Sequence, residues 1–263
     1  MKDLFGNALR DYQNGNYTED LVTATNISDD DILPLPYLFR DFKTMPKLEK
    51  KALKLAKGSV LDVGCGAGSH SLYLQKQGLK VKAIDISKGA IEVATKRGVS
   101  HTKVEAILNE TETFDTILLL MNGTGIFQEL SQISIYLKHL KSLLNSGGQI
   151  LIDSSDIKYM YEDEDGGFWM DANANYYGEL DYFLFYKGEE ENPMKWLYLD
   201  FDTLKLACET IGLHCELVLE GDHFDYLARL VLAETKKNQA PSGFYSVELS
   251  LKNKIPRTTA RGM

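Results

Sequence analysis

The chain has 263 residues, 44% of them hydrophobic and 25% charged, a globular composition with enough length to bury one sizeable core. Its formal net charge of −9 argues against nucleic-acid binding, which a basic patch or stripe would serve, and fits a small-molecule partner. Three cysteines cannot form a fully paired framework, the opening MKDLFGNALRDYQ has no apolar signal core, and the longest clear apolar run is ILLLM at 117–121, far short of the ~20 residues of a membrane helix. These features predict a cytoplasmic setting without a membrane.

Residues 46–57 place Leu48, Ala52, Leu55 and Ala56 at helical spacing, with Pro46 near the first turn and Gly58 just past the end, and predict a helix. SVLDVG (59–64) reads as a short buried strand, SHSLYLQKQG (69–78) as a helix stopped by Gly78, and KVKAIDI (80–86) as a second strand. A helix at 88–98, a strand at 102–108 and a continuous apolar strand at 114–122 follow, the last of the type buried on both faces. A long helix is expected within 129–148, stopped by Gly147 and Gly148, and then a strand at 149–155. This alternation predicts a parallel sheet with helices on both faces.

The pattern breaks at 156–198, an aromatic-rich stretch with two acidic runs, in which GELDYFLFYKG and MKWLYLD flank EEENP as a hairpin. A helix at 201–212 and strands at 214–221 and 225–234 restore the order, and residues 235–263 are polar, with GFYSVELSL (243–251) a candidate strand. The expected organisation is a cap segment over 1–45, a core over 46–234 containing the 156–198 insertion, and a C-terminal extension over 235–263.

LDVGCGAGSHS (61–71) passes from buried strand to helix through three glycines. Glycines there let the backbone approach a ligand closely, and the amides and dipole of the helix favour polar or anionic groups. The dinucleotide fingerprint G-x-G-x-x-G would need glycine where Ser69 stands; Gly64, Gly66 and Gly68 give G-x-G-x-G instead, after Asp62. Asp85 ends the second strand, 17 residues after Gly68, where a strand-end surface acid is placed to accept hydrogen bonds from ribose hydroxyls.

VLDVGCGAG followed by AIDIS resembles the first motif and the following acid of class I S-adenosylmethionine-dependent methyltransferases. FDTILLLMN is similar to the family's fourth strand, and LLNSGGQILI to its helix, glycine turn and fifth strand; the likeness covers residues 46–155 and the closing elements at 201–234. The resemblance implies a Rossmann-like α/β fold with a seven-stranded sheet in the order 3-2-1-4-5-7-6, strand 7 alone antiparallel, and S-adenosylmethionine as cofactor. It implies that Asp62, Gly64, Gly66 and Gly68 line the methionine and ribose part of the cofactor and that Asp85 binds the ribose diol. Ile86 would pack on adenine with Glu105 and Ala106 beside it, and Asn122 would touch the methionine end or the substrate. Gly123 follows Asn122 where methyltransferases of nucleic-acid amino groups carry an Asn-Pro-Pro-Tyr type motif, a departure that disfavours nucleobase N-methylation.

LPLPYLFRDF (33–42) leads into the core as a lid segment. Arg40 either pairs with the cofactor carboxylate or makes a surface ion pair with Asp41 or Glu49, and Tyr37 is its neighbour on the lid. His70, in the first turn after the glycine loop, serves as a base at the active site or packs there without a catalytic role. The other four histidines have no partner cluster, Cys65, Cys208 and Cys215 read as small core fillers, and no metal-ligand spacing stands out. Tyr159, Tyr161 and Trp169 leave the fifth strand where the family's substrates bind, so the insertion roofs a substrate pocket, covers the sheet end, or does both. The expected function is methyl transfer to an oxygen or nitrogen atom of a small molecule. The alternatives are a non-catalytic S-adenosylmethionine-binding domain and an NAD-dependent oxidoreductase.

Overall fold

The computed structural model describes residues 2–162 and 176–233. Helix α1 (Leu4–Asn14) is followed by strands β1 (Leu21–Thr25) and β2 (Ser28–Leu33), a single turn α2 (Leu35–Leu38) and α3 (Lys47–Leu55). The alternating region comprises β3 (Ser59–Val63), α4 (Ser69–Lys76), β4 (Lys80–Asp85), α5 (Lys88–Arg97), β5 (Thr102–Val104), β6 (Phe114–Leu119), α6 (Ile133–Ser142) and β7 (Leu144–Ser155). The insertion contributes β8 (Glu179–Tyr186), β9 (Glu189–Glu190) and β10 (Met194–Leu197); α7 (Phe201–Thr210), β11 (Leu213–Glu220) and β12 (Asp225–Leu232) close the fold.

Seven strands line up as β5-β4-β3-β6-β7-β12-β11. All neighbours are parallel except β12, which runs antiparallel to both β7 and β11. Numbered along the core this is 3-2-1-4-5-7-6, as the family resemblance implies. The central strands are apolar on both faces because helices cover both. Leu61, Ile117, Leu119 and Ile152 face α6 and α7 through Leu137, Leu140, Leu204 and Cys208. Their neighbours Val60, Leu118 and Leu151 face the other way, onto Leu48 and Ala52 of α3 and Leu74 of α4.

Three elements differ from the sequence reading. The helix expected within 129–148 occupies only Ile133–Ser142, and β7 already starts at Leu144 and runs through the two glycines. Phe114 pairs with Leu144 but Thr116 pairs with Gln149, so the residues between bulge out of the ladder, with Gly147 turning at φ 74°. The strand expected at 102–108 stops at Val104, an edge strand that gives way to a 3-10 turn at Ile107–Asn109. The strand expected at 114–122 stops at Leu119, before a left-handed turn.

A second sheet, in the order β10-β8-β1-β2 with β9 beside β8, joins the insertion to the N-terminal segment. Val22 pairs with Phe185 and Met194 with Tyr182, both antiparallel. Helix α1 then lies on α5 at a glycine-to-glycine contact, where a Cβ on Gly89 would come within 2.5 Å of Gly6 Cα. The Asp3 carboxylate accepts from Gly6 N, Gly89 N and Ser87 Oγ, and the buried Glu191 carboxylate accepts from Lys2 N and Leu4 N. Charged acceptors at its first turn therefore pin α1 over the amino end of α5. Among the described residues no helix is long and apolar enough to cross a membrane.

Candidate functional site

The turn from β3 into α4 is built on Gly64, Gly66 and Gly68, at φ 70°, 52° and 80°, a left-handed conformation that costs glycine little and other residues much. At Gly68 space also forbids a side chain, since a Cβ would stand 2.8 Å from Val99 Cγ2. Gly66 N donates to Asp85 Oδ2 at 2.9 Å, and Ser87 N donates to Asp85 Oδ1 at 2.8 Å. The acid at the end of β4 thus fixes the glycine loop. It is buried rather than a surface group, and burial pushes its carboxyl up to about 6 against the lowering effect of the two amides. Asp62, also buried, accepts from Ser71 Oγ at 2.6 Å and braces β3 against α4. Phe5 of α1 rests over the loop, its ring 3.7 Å from where a Cβ on Gly66 would be.

Beside Asp85 the surface turns apolar. Ile86 is 57% exposed, and Val104 and Leu108 are exposed with it. Val104 pairs with Asp85 across the strands, and Glu105 N donates to Asp85 O. Glu105 binds Lys103 through Oε1 at 2.6 Å, while its Oε2 is buried without a hydrogen-bond partner, and Ala106 leads into the 3-10 turn. An open apolar patch edged by an unpartnered acceptor suits a flat base with an exocyclic amino group.

At the end of β6, Met121 and Asn122 both take left-handed conformations, at φ 68° and 60°. Asp153, on β7, holds this strained turn by accepting from Met121 N at 3.0 Å and Gly123 N at 2.9 Å. Asn122 Oδ1 accepts from Ser154 Oγ at 3.1 Å, and its Nδ2 is buried with no partner. The insertion locks the same turn, for Thr124 Oγ1 donates to Leu197 O at 2.9 Å and Leu199 N donates to Ser154 Oγ at 2.9 Å. Trp196 covers Gly125 so closely that a Cβ there would lie 2.2 Å from its ring.

The lid segment meets the glycine loop through charge. Arg40 donates to Tyr37 O and to Glu49 Oε1, and its guanidinium lies 3.9 Å from the centre of the Tyr37 ring. Glu49 Oε2 in turn lies 2.7 Å from His70 Nε2. Of the partners weighed for Arg40, the structure gives Glu49, in a buried rather than a surface pair. Burial opposes the Glu49 charge, yet the His70 bond and the Arg40 charge hold its carboxyl below the usual range. Burial likewise opposes the His70 charge, and the Glu49 bond overrides it, so the imidazole keeps its proton more firmly than usual. An imidazole held by Glu49 in this way is a bridging group, not a free base. Arg97 adds a second tie, donating to Ala67 O in the loop and to Phe39 O in the lid.

A cavity of about 290 Å³ lies beyond the carboxyl ends of β6 and β7, walled in part by Tyr37, Glu49, Asn122, Asp153, Ser154 and Asp225. Tyr159 and Tyr161 do not wall it: Tyr159 stacks on Phe224 at 5.0 Å, and Tyr161 Oη donates to Tyr177 O. Trp169 and the 243–251 strand lie outside the described residues. Cys65 is buried, and burial pushes its thiol up, away from nucleophilic use. Among the described residues no group of three or more His, Cys, Asp or Glu side chains is arranged to hold a metal ion.

Burial pushes Asp153 as well as Asp85 up to about 6 from 3.8. Between those values only the folded protein holds the two protons, so these groups make the ligand-free protein less stable as pH rises through that window. Glu49, with its carboxyl lowered from 4.5, acts in the opposite direction below that value. Thermal unfolding is expected to show a gain on going from pH 7 to pH 5 that is smaller in Asp153→Asn; equal gains in the two proteins would contradict the assignment.

A glycine loop at the carboxyl end of β3, an acid ending β4 and a 3-2-1-4-5-7-6 sheet define a Rossmann-like nucleotide-binding protein. Residues 37–215 match the methyltransferase domain family. The crystal structure of a SAM-dependent methyltransferase from Bacteroides fragilis in complex with S-adenosyl-L-homocysteine is similar with TM-score 0.83 and 43% identity, covering 88% of this chain and 95% of that one. Among curated proteins, a cypemycin N-terminal methyltransferase from Streptomyces sp is 30% identical over 104 residues, 37% of this chain and 42% of that protein. A malonyl-[acyl-carrier protein] O-methyltransferase from Salmonella typhimurium is 39% identical over 61 residues, 22% of this chain and 24% of that protein. The chain spans less than half the length of these curated relatives. It belongs to the S-adenosylmethionine-dependent methyltransferases, and S-adenosylmethionine is the cofactor of that family. The residues present fit such a group: Asp85 lies at the loop that would cradle it, and the unpartnered Glu105 Oε2 and Asn122 Nδ2 lie beyond its two sides.

Proposed function

We propose that this protein moves a methyl group from S-adenosylmethionine to an oxygen or nitrogen atom of a small-molecule acceptor in the cytoplasm. The observation that carries the reading is the cavity at the ends of β6 and β7, whose wall residue Glu49 contacts His70 directly after the glycine loop. A purely regulatory binding domain has no need of an acceptor cavity at that point.

In this reading Asp62, Gly64, Gly66 and Gly68 cradle the methionine and ribose part and Asp85 takes the ribose diol. Ile86, with Val104 and Leu108, packs on adenine; Glu105 Oε2 accepts from its amino group beside Ala106; and Asn122 Nδ2 donates to the methionine end. Arg40 and Tyr37 serve the lid rather than a cofactor carboxylate, since Arg40 is already committed to Glu49. When bound, the cofactor supplies an electrophilic methyl group on a sulfonium. The protein's part is then alignment and exclusion of water. The strained turn at Met121 and Asn122 fixes one wall of the cavity, and the Arg40–Glu49–His70 bridge holds the lid against the loop. Residues 1–45 act as the cap, 46–234 as the catalytic core and 235–263 as an extension.

The net charge of −9 supports a small acceptor over nucleic acid. The test is incubation with methyl-labelled S-adenosylmethionine, a fractionated small-metabolite extract and total RNA. Label is expected in the small-molecule fraction. Label in RNA, or none anywhere with cofactor binding intact, would overturn the reading.

A further inference from the structure

We propose that the cavity at the ends of β6 and β7 is an amine site, in which the Asp153 carboxylate holds the ammonium group of the acceptor. The inference rests on the methyltransferase reading and names the substrate class of that same site.

Three carboxylates wall the cavity: Glu49, Asp153 and Asp225. They are not equivalent. Glu49 already carries two partners, the Arg40 guanidinium and the His70 imidazole. Asp225 opens β12, and its Oδ1 accepts from His223 N in the preceding turn at 3.1 Å. Asp153 is 7% exposed and its partners are the two neutral amides of Met121 and Gly123. Among the described residues no lysine or arginine walls the cavity, and none forms an ion pair with Asp153. A buried carboxylate with no ion-pair partner is an expensive group to keep, and the His70 imidazole acts on this one only through space. Burial shows its effect in the carboxyl being pushed up to about 6.

A guest that brings a positive charge restores the balance; a neutral alcohol does not, and an acid adds repulsion. Tyr37 adds a neutral hydrogen-bonding group on the same wall. Asp153 also stands where the proton of an ammonium guest must go. Its transfer from nitrogen to a carboxylate oxygen leaves a neutral amine with a free lone pair.

The test uses sinefungin, the cofactor analogue that carries an amine-bearing carbon in place of the methylated sulfonium, against S-adenosylhomocysteine, which carries an uncharged thioether. Calorimetric titration of the wild type is expected to favour sinefungin by at least about tenfold, the effect of one charge-assisted hydrogen bond. In Asp153→Asn that preference is expected to fall to near unity, the readout being the ratio of the two affinities within one protein, because the variant also removes one of the two acceptors that hold the Met121–Gly123 turn. Equal affinities in the wild type would overturn the proposal, and this arm stands even if the variant does not fold. A preference that survives Asp153→Asn would overturn it as well. Failure of S-adenosylhomocysteine to bind the wild type would instead remove the methyltransferase reading beneath it.

Discussion

Replacing Asp85 by alanine is expected to weaken S-adenosylhomocysteine binding by well over tenfold, the equivalent of more than ~1.4 kcal/mol. Two bonds from ribose hydroxyls to a carboxylate contribute roughly 1.5–3 kcal/mol each. A second loss adds to this, because the same carboxylate accepts from Gly66 N and Ser87 N. Without it the glycine loop loses its anchor, and two amides lose their partner at about 1–3 kcal/mol for each that stays buried. Asp85→Ala is therefore expected to lower the unfolding temperature too, which a surface acid would not do. Asp85→Asn keeps the shape and one acceptor oxygen and should fall between. Calorimetry and thermal unfolding on the three proteins check both parts; unchanged affinity in Asp85→Ala would contradict the assignment of the ribose site.

Glu49→Ala is expected to be the most destabilising single change at the site. It leaves the Arg40 guanidinium and the His70 imidazole buried without the carboxylate between them. Breaking a buried charge pair in this way costs about 3–5 kcal/mol, and each kcal/mol moves the midpoint of a domain this size by about 2–4 °C. His70→Gln should be far milder, since glutamine can still donate to Glu49, and it should leave turnover measurable with no basic limb lost from the pH–rate profile. Thermal melts of both variants test the pairing. A Glu49→Ala protein as stable as the wild type would show that the bridge contributes nothing.

The parts of the fold that follow local rules were legible in the sequence. SVLDVG, the glycine loop and KVKAIDI carry their strand, turn and helix signals within a few residues of each other, and they placed Asp62, Gly64, Gly66, Gly68 and Asp85 at the carboxyl ends of β3 and β4. The second sheet has no such signature. SDDDIL looks too polar for a strand, and it forms one because β2 is an exposed edge whose sheet is completed by β8, far along the chain.

The site divides in the same manner. Glu49 reads in the sequence as one of two surface partners open to Arg40; it is buried because Arg40 and His70 meet it from other elements. Val104 and Leu108 read as the interior of a longer strand, and they are exposed because β5 is a short edge. Asp153 had a signal that went unused. It ends the apolar run QILID as Asp85 ends KAID, and an acid at the carboxyl end of a buried strand lies where ligands bind in this architecture.

The measurement that bears most directly on the central claim is a pair of calorimetric titrations of the wild-type protein, one with S-adenosylhomocysteine and one with NAD. The arrangement of Gly64, Gly66 and Gly68 with Asp85 predicts saturable binding of the first and none of the second. Tight NAD binding, with S-adenosylhomocysteine ignored, would contradict it.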